Sequence, residues 1–187
     1  PPPARGPSTS GEKVSGKEDV RAMLPASLAG IREVIAFGHA IKGEVRLFDV
    51  EGAYVNSPLG GARVVGRFSK SLWPRNWHGR FVRRVLPIWM ALYGFPRSGF
   101  DWDDEWGCTC TFVGLVRVQD TEGSMWVFRS GSDAVAVVIY VDDGVIGGPA
   151  HLVDEMPMEI QEWFTIKKDD LVHADLKVEL EIEEGLL

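Results

Sequence analysis

The stretch VAVVIYVDDGVIGG, residues 135–148, constrains the fold of this 187-residue chain more than any other. It begins as a near-continuous run of β-branched residues, which is typical of a strand buried on both faces. Asp-Asp-Gly follows, which is good turn chemistry, and a short apolar return strand comes after it. The pattern predicts a buried hairpin with Asp142 and Asp143 at its tip. Two interpretations of that pair stay open: a turn alone, or carboxylates placed to bind metal ions.

The length and composition of the chain favour one globular unit. Its 187 residues are 45% hydrophobic, enough for one sizeable core and too few for two comfortable domains. The longest apolar run, Ala134–Val141, is far shorter than the roughly 18 residues of a membrane-spanning helix, and the N-terminus lacks the order of a signal peptide. We therefore expect a soluble, intracellular, cytoplasmic protein without a membrane partner. Cys108 and Cys110 suit neither a disulfide framework nor a zinc site, so we expect reduced thiols.

Charge is distributed unevenly along the chain, although the formal net charge is only −7. Residues 1–60 carry 7 basic and 7 acidic side chains, residues 61–100 carry 8 basic and none acidic, and residues 101–187 carry 5 basic and 20 acidic. The middle segment contains Arg63, Arg67, Lys70, Arg75, Arg80, Arg83, Arg84 and Arg97, interleaved with Trp73, Trp77 and Trp89. Such a segment is typical of a surface that binds a polyanion and stacks on its bases or sugars. The alternative is a solvated face that neutralises the acidic C-terminal part.

Hydrophobic periodicity predicts the elements around the hairpin. Helices are predicted at 17–39, 82–95, 98–107 and 151–164, and strands at 44–50, 112–118, 125–129 and 175–185. The 44–50 stretch is expected to be a core strand, with Val45, Leu47 and Val50 as its apolar residues. Ser98 is expected to cap the third helix. The order of elements predicts an α+β fold with helices packed on a mainly antiparallel sheet.

The chain is expected to hold one folded domain with a loose end. Residues 1–16 are rich in Pro, Gly and Ser, which predicts a flexible linker or a cut end, and residues 17–187 form the domain. In the expected sheet Asp49, at a strand end, can approach Asp142 and Asp143 at the hairpin tip. Three carboxylates on one rim can bind two magnesium ions, which prefer hard oxygen ligands and support nucleotidyl transfer.

Four blocks of sequence occur in a recognisable order. They are FDVEGAYVNSPL, MALYGFPRSGFDW, IYVDDGVIGG, and the pair EIQEWFTIKKDDL and LKVELEI, together covering roughly residues 20–185. This ordered set resembles the reverse transcriptase domain of Ty1/copia-type retrotransposon polyproteins. The resemblance implies a right-hand polymerase palm, with a ferredoxin-like antiparallel sheet and helices on one face, plus partial fingers. It implies an RNA-directed DNA polymerase that joins deoxynucleotides to a primer 3′-hydroxyl by two-metal nucleotidyl transfer.

The same resemblance implies roles for individual residues. Asp49, Asp142 and Asp143 would be the catalytic residues and the ligands of two Mg²⁺ ions, with Mn²⁺ as an alternative. Tyr54 matches an aromatic residue that packs under the sugar and rejects a 2′-hydroxyl, and Tyr140 would lie near the primer end. The implied substrate-binding positions are Val50 (through its carbonyl, also a metal ligand), Ala53, Tyr54, Arg97 and Tyr140. The implied nucleic-acid-binding positions are Arg63, Arg67, Lys70, Arg75, Arg80, Arg83 and Arg84.

Arg97 departs from the family pattern, which usually carries a Gln that helps to hold the incoming nucleotide. An Arg there can pair with a phosphate or block the pocket. The expected partners are an RNA or DNA template-primer, deoxynucleoside triphosphates, and the remaining fingers, thumb and RNase H parts of the polyprotein, in the cytoplasm or in virus-like particles. The main alternative is a decayed palm that binds nucleic acid or a protein partner without polymerising. A third hypothesis is another two-metal palm enzyme, such as a nucleotide cyclase.

Overall fold

The computed structural model describes residues 26–118 and 124–167. The predicted linker 1–16, the predicted strand 175–185 and the first part of the predicted 17–39 helix lie outside these ranges. Inside them the chain forms three α-helices, a five-stranded antiparallel sheet and a separate two-stranded ribbon. This is an α+β arrangement, as the order of predicted elements indicates.

The bounds of the elements set the frame for the site. The helices are α1 (Leu28–Ala40), α2 (Ser98–Phe112) and α3 (Ala150–Ile160). The strands are β1 (Glu44–Asp49), β2 (Val64–Gly66), β3 (Leu86–Ile88), β4 (Val116–Arg117), β5 (Met125–Ser130), β6 (Asp133–Tyr140) and β7 (Asp143–Gly148). The sheet order is β1-β7-β6-β5-β4, with every neighbouring pair antiparallel, and β2 pairs with β3 in the ribbon.

Strand β6 is the centre of the fold, as its β-branched run predicts. Val135, Val137 and Ile139 are buried in one cluster with residues of α2 and α3, and Ala136 and Val138 in another with residues of α1. Because successive side chains of a strand point to opposite faces, the two clusters lie on opposite sides of the sheet. Helices therefore cover both faces. The expectation of helices on one face is wrong, because a strand that is apolar on both sides leaves two faces to be covered.

The predicted burial of residues 44–50 is confirmed at Val50 and wrong at Leu47, because the more deeply buried side of β1 carries Phe48. Phe48 is buried against the α2–α3 cluster, whereas Leu47 is 39% exposed and Val45 is only partly buried. The reason is aromatic packing, since the Phe48 ring lies 6.1 Å from that of Trp106 on α2. Phe48 also lies over Gly144, its partner on β7, where a Cβ would collide with the ring. The glycine of Asp-Asp-Gly is therefore required for close packing.

The predicted helix at 82–95 is wrong. The regular element in this stretch is β3, in which Pro87 lies opposite Val65 of β2. Proline has no backbone N–H and breaks the interior of an α-helix, but it is tolerated in an edge strand such as a ribbon offers. The apolar spacing of residues 82–95 predicts a helix, but the chain around β3 is extended.

A long excursion leaves the sheet after β1 and returns before α2, and we call residues 57–91 the basic arm. Its two ends lie together, because Leu59 N donates to Trp89 O at 2.7 Å. Ala91 N also donates to Ser57 O at 2.9 Å. Between these ends the arm holds the β2–β3 ribbon and two short 3₁₀ helices, Lys70–Leu72 and Arg75–Trp77. The two ends of the arm are therefore tied to each other at its base.

Helix α2 is longer than predicted and takes in Phe112, the first residue of the predicted 112–118 strand. It continues to Phe112 and is followed by Gly114 with φ 86°, a conformation that suits glycine at a helix end. Only β4 remains of the strand, and it pairs with β5 in the predicted hairpin. Ser98 does not cap the helix: it is buried, and its hydroxyl donates to Leu92 O at 2.6 Å. Helix α3 also differs, ending at Ile160 rather than 164.

Two expectations from composition can be compared with the described residues. Cys108 and Cys110 are free thiols on α2, as predicted. Burial raises the pKa of the Cys110 thiol well above its usual range, which marks it as a core residue rather than a nucleophile. Across residues 26–118 and 124–167, no helix is both long and apolar enough to cross a bilayer.

Candidate functional site

Strand register brings together side chains that are far apart in sequence. In the pairing of β1 with β7, Asp49 lies directly opposite Asp143. In the pairing of β7 with β6, Tyr140 lies opposite the same Asp143. Residues directly opposite on antiparallel strands point to the same face, with Cβ atoms about 4.5–5.5 Å apart. The three residues therefore form one row across three strands at one end of the sheet.

A two-residue turn between β6 and β7 carries Asp142. Its first residue, Val141, has a φ of 60°, a left-handed conformation that β-branched residues rarely adopt. Two hydrogen bonds support this strained turn. Trp102 Nε1 on α2 donates to Val141 O at 2.7 Å, and Val50 N donates to Asp142 O at 2.8 Å. The turn is therefore fixed both from the helix below it and from the end of β1.

Lys167 supplies positive charge to Asp49. Its Nζ lies 2.8 Å from Asp49 Oδ1, and its backbone N donates to Asp49 O at 3.1 Å. Glu51 N donates to Thr165 O at 2.8 Å, so residues 165–167 run beside the end of β1. Asp49 Oδ1 is buried and accepts no hydrogen bond of regular geometry, so its contact with Lys167 is one of charge. This charge offsets the repulsion between Asp49 and Asp143, which face each other.

Two tyrosines border Asp142. The Tyr93 hydroxyl donates to Asp142 Oδ2 at 3.4 Å, and the rings of Tyr54 and Tyr93 lie 4.6 Å apart. Burial, followed by the negative charge of Asp142, raises the pKa of both phenols. Both tyrosines therefore stay protonated near neutral pH and present hydrogen-bond donors beside the carboxylate.

Val50 and Ala53 have completely buried side chains in the main core. The burial includes their backbone atoms, so a substrate or a metal ion can contact either residue only after a local rearrangement. Ala53 begins a short 3₁₀ helix, Ala53–Asn56, which follows Gly52 with φ 64°. This tight entry sets Tyr54 against Tyr93. The core packing of Val50 and Ala53 thus positions the tyrosine pair.

Arg97, on the turn before α2, has its own partners. Its Nε lies 2.8 Å from Asp101 Oδ1, and the second oxygen of Asp101 accepts from Gly60 N at 3.0 Å. The guanidinium carbon also lies 5.4 Å from the centre of the Phe100 ring. The charge of Arg97 is therefore directed to Asp101 rather than to the carboxylates at the sheet end. The pair joins the first turn of α2 to the base of the basic arm.

All seven cations predicted to bind nucleic acid lie on the basic arm. Among the described residues, none of these seven has a carboxylate oxygen within 4.0 Å. Several lie over aromatic rings instead: Arg63 over Trp89, Lys70 over Trp73, Arg80 over Phe81, and Arg84 over Trp77 and Phe81. The arm therefore carries positive charge without acidic partners in the part of the chain that is described.

Sequence reasoning overlooked Tyr93, Trp102 and Lys167. Each of them contacts Asp142, Val141 or Asp49. All three lie inside the quoted blocks, the first two in MALYGFPRSGFDW and the third in EIQEWFTIKKDDL. The sequence did carry a signal for these three residues, because each is a polar aromatic residue or a cation inside one of the blocks.

The donor chemistry at the sheet end suits a hard divalent cation. Magnesium takes carboxylate oxygens, and the Lys167 ammonium against Asp49 already marks a position that favours positive charge. Within residues 26–118 and 124–167, however, no group of three or more His, Cys, Asp or Glu side chains has the geometry of a formed metal site. Two ions would require the three carboxylates to turn toward a common point and Lys167 to leave Asp49.

Comparison with known proteins adds no relative. Protein-family models, curated proteins and solved structures each give no match to this chain. The functional assignment therefore depends on the ordered sequence blocks and on the geometry of the sheet end and the basic arm.

Proposed function

We propose that this chain is the palm-centred part of a copia-type reverse transcriptase, an RNA-directed DNA polymerase. The observation that carries the proposal is the cross-strand pair of Asp49 and Asp143, with Asp142 beside it on a supported hairpin tip. Three sequence blocks that resemble polymerase motifs contribute to this one end of the sheet. Tyr54 comes with Asp49 from the first block, Tyr93 from the second, and the Asp pair from the third.

The proposed chemistry uses the carboxylates as metal ligands. Asp49, Asp142 and Asp143 would hold magnesium, with the Val50 carbonyl as a further ligand. Bound there, the metal would lower the pKa of a primer 3′-hydroxyl and stabilise charge on the departing pyrophosphate. Tyr54 would form the wall under the sugar of the incoming deoxynucleotide, supported by the ring of Tyr93.

The basic arm would bind the template-primer. Its cations have no carboxylate partner within residues 26–118 and 124–167, which suits phosphates, and its base adjoins the tyrosine pair through the segment that leads from Trp89 to Tyr93. Deoxynucleoside triphosphates would be the second substrate. The rest of the polyprotein would supply the remaining fingers, the thumb and RNase H in a cytoplasmic setting.

A second candidate is a decayed palm that binds nucleic acid without polymerising. Two contacts favour it: Arg97, at the usual Gln position, pairs with Asp101, and Lys167 occupies an oxygen of Asp49. In this hypothesis the basic arm still binds nucleic acid, but the sheet end no longer catalyses polymerisation.

Primer extension on an RNA template, with Mg²⁺ and deoxynucleotides, tests the proposal. The proteins compared are this chain, a version extended at both ends, and the Asp142→Asn variant of each. Removing one ligand charge should reduce extension at least about 100-fold, since metal charge stabilisation supplies several kcal/mol of the barrier reduction. Asp104→Asn, the same chemical change at an exposed position of α2, is the matched control and should leave extension unchanged. Template-primer binding without extension by the extended protein would instead support the decayed palm.

A further inference from the structure

We propose that Trp89 is a stacking platform for an unpaired base of a nucleic-acid strand that reaches the sheet end, and that Arg63 beside it contacts the adjoining phosphate. This inference rests on the proposed function for the choice of a nucleic-acid strand as partner. It adds a residue and a specific contact that the sequence blocks do not supply.

The three tryptophans of the basic arm have different surroundings. Trp73 is 8% exposed, and its Nε1 donates to Phe68 O at 3.2 Å. Trp77 is half-buried, with the Arg84 guanidinium 4.4 Å from its ring centre and the Trp73 ring at its edge. Trp89 is 67% exposed. Trp73 and Trp77 therefore hold the arm together, whereas Trp89 has open ring surface on which a base can stack.

The backbone fixes Trp89 at the base of the arm. Its carbonyl accepts from Leu59 N at 2.7 Å, and the next residue, Met90, forms a bridge with Pro58. An exposed indole on an anchored backbone loses little backbone freedom when a base stacks on it. The position therefore suits a permanent platform better than a mobile loop would.

The sequence spacing places Trp89 within a few nucleotides of the carboxylates, measured along a bound nucleic-acid strand. Trp89 precedes Tyr93 by four residues, and the Tyr93 hydroxyl contacts Asp142. Four residues span at most about 14 Å. Stacked nucleotides advance about 3.4 Å each, so the backbone separation of Trp89 and Tyr93 is at most about four nucleotides. A strand whose end lies at Asp142 is therefore long enough to reach Trp89 after a few nucleotides.

The charge around Trp89 indicates which kind of ligand can bind there. Residues 57–91 carry 7 basic and no acidic side chains. The Arg63 guanidinium carbon lies 5.8 Å from the centre of the Trp89 ring, so a cation adjoins the exposed indole. A ligand that satisfies both groups combines negative charge with flat aromatic rings. Single-stranded nucleic acid has this combination, and base stacking on an aromatic side chain tolerates any sequence.

Equilibrium binding of a fluorescein-labelled single-stranded oligodeoxythymidylate to the full chain tests the platform. Stacking of one base contributes about 1–3 kcal/mol, so Trp89→Ala should weaken binding about 5- to 150-fold. Trp89→Phe keeps an aromatic ring and should restore most of the affinity. Leu72→Ala removes another exposed apolar side chain of the arm, 72% exposed, and should bind like the parent chain. Heparin, a polyanion without bases, should bind the parent and the Trp89→Ala variant equally.

Two results would overturn the platform: parent-like oligonucleotide binding by Trp89→Ala, or an equal loss of heparin and oligonucleotide affinity. The second result would mean that the site recognises negative charge alone, which an acidic protein segment also carries.

The extension assay with Asp142→Asn separates this inference from the proposed function. A Trp89-dependent affinity without extension would leave the platform standing and the polymerase proposal rejected, whereas extension with parent-like binding by Trp89→Ala would reject the platform alone.

Discussion

The sheet end and the basic arm are built by different means. At the sheet end, strand pairing positions Asp49 and Asp143, and the turn that carries Asp142 is bonded from α2 and from Val50, the residue after β1. The arm has a short ribbon and two 3₁₀ helices, and several of its cations lie on aromatic rings. Strand pairing and hydrogen bonds fix the first region, and charge–aromatic contacts organise the second. Under the proposed function, this difference matches two needs: reacting atoms require fixed geometry, whereas a polymer can be held by a surface that adapts to it.

The largest expected effect is a loss of folding stability when a buried residue at the sheet end is replaced. Trp102 is completely buried and donates to the carbonyl of Val141, so Trp102→Ala should lower the free energy of unfolding by about 3–5 kcal/mol. Trp89→Ala, on the arm, should change it by no more than about 0.5 kcal/mol. Urea denaturation followed by circular dichroism measures both. Similar losses in the two variants would show that the arm is as tightly packed as the sheet end.

A smaller effect concerns the charge on Asp49. Lys167→Met removes the cation that pairs with Asp49, and the exposure of the lysine limits the expected loss to about 0.5–1 kcal/mol in metal-free buffer. Magnesium should recover this loss and stabilise the variant more than the parent chain, because the ammonium no longer competes for the carboxylate. Thermal unfolding with Mg²⁺ and with a chelator gives the comparison, and Lys167→Arg is the charge-preserving control. An identical response of all three proteins to Mg²⁺ would contradict a cation site at Asp49.

The smallest effect is a pH dependence. Burial and the charge of Asp142 raise the pKa of Tyr93 above its ordinary value of 10.0. The folded state therefore binds the phenol proton more tightly than the unfolded state, and this stabilisation is complete below pH 10.0 and is lost as pH rises through the folded pKa. The parent chain should lose stability faster than Tyr93→Phe above pH 10.0. Denaturant midpoints measured across the alkaline range show the difference, and parallel curves would mean that Tyr93 does not sense Asp142.

Local features of the fold could be predicted from the sequence. The β-branched run and Asp-Asp-Gly specify the β6–β7 hairpin, because strand and turn preferences act over neighbouring residues. The expected approach of Asp49 to the hairpin tip agrees with the pairing of Asp49 and Asp143. Pro87 and Gly114 also carry the information that would have corrected the predicted 82–95 helix and the predicted 112–118 strand.

Contacts between distant elements could not be predicted in this way. The bond from Trp102 to the Val141 carbonyl and the ion pair of Lys167 with Asp49 depend on how helices and chain segments dock on the sheet. The same holds for the separation of Trp73, Trp77 and Trp89 into covered and open rings. Composition identifies the basic, aromatic segment, but tertiary packing decides which ring is accessible.

The order of folding follows from the register of β1 with β7. Strands β5, β6 and β7 are joined by short turns and can pair as soon as they are made, but β1 must wait for a partner that lies 94 positions later at Asp143. Closing a loop of that length costs about 4 kcal/mol in chain entropy. We therefore expect the acidic row to form late in folding and to open first in the native state, with β1 amides exchanging their hydrogens before those of β6. A local opening can thus separate Asp49 from Asp143 while most of the core stays intact.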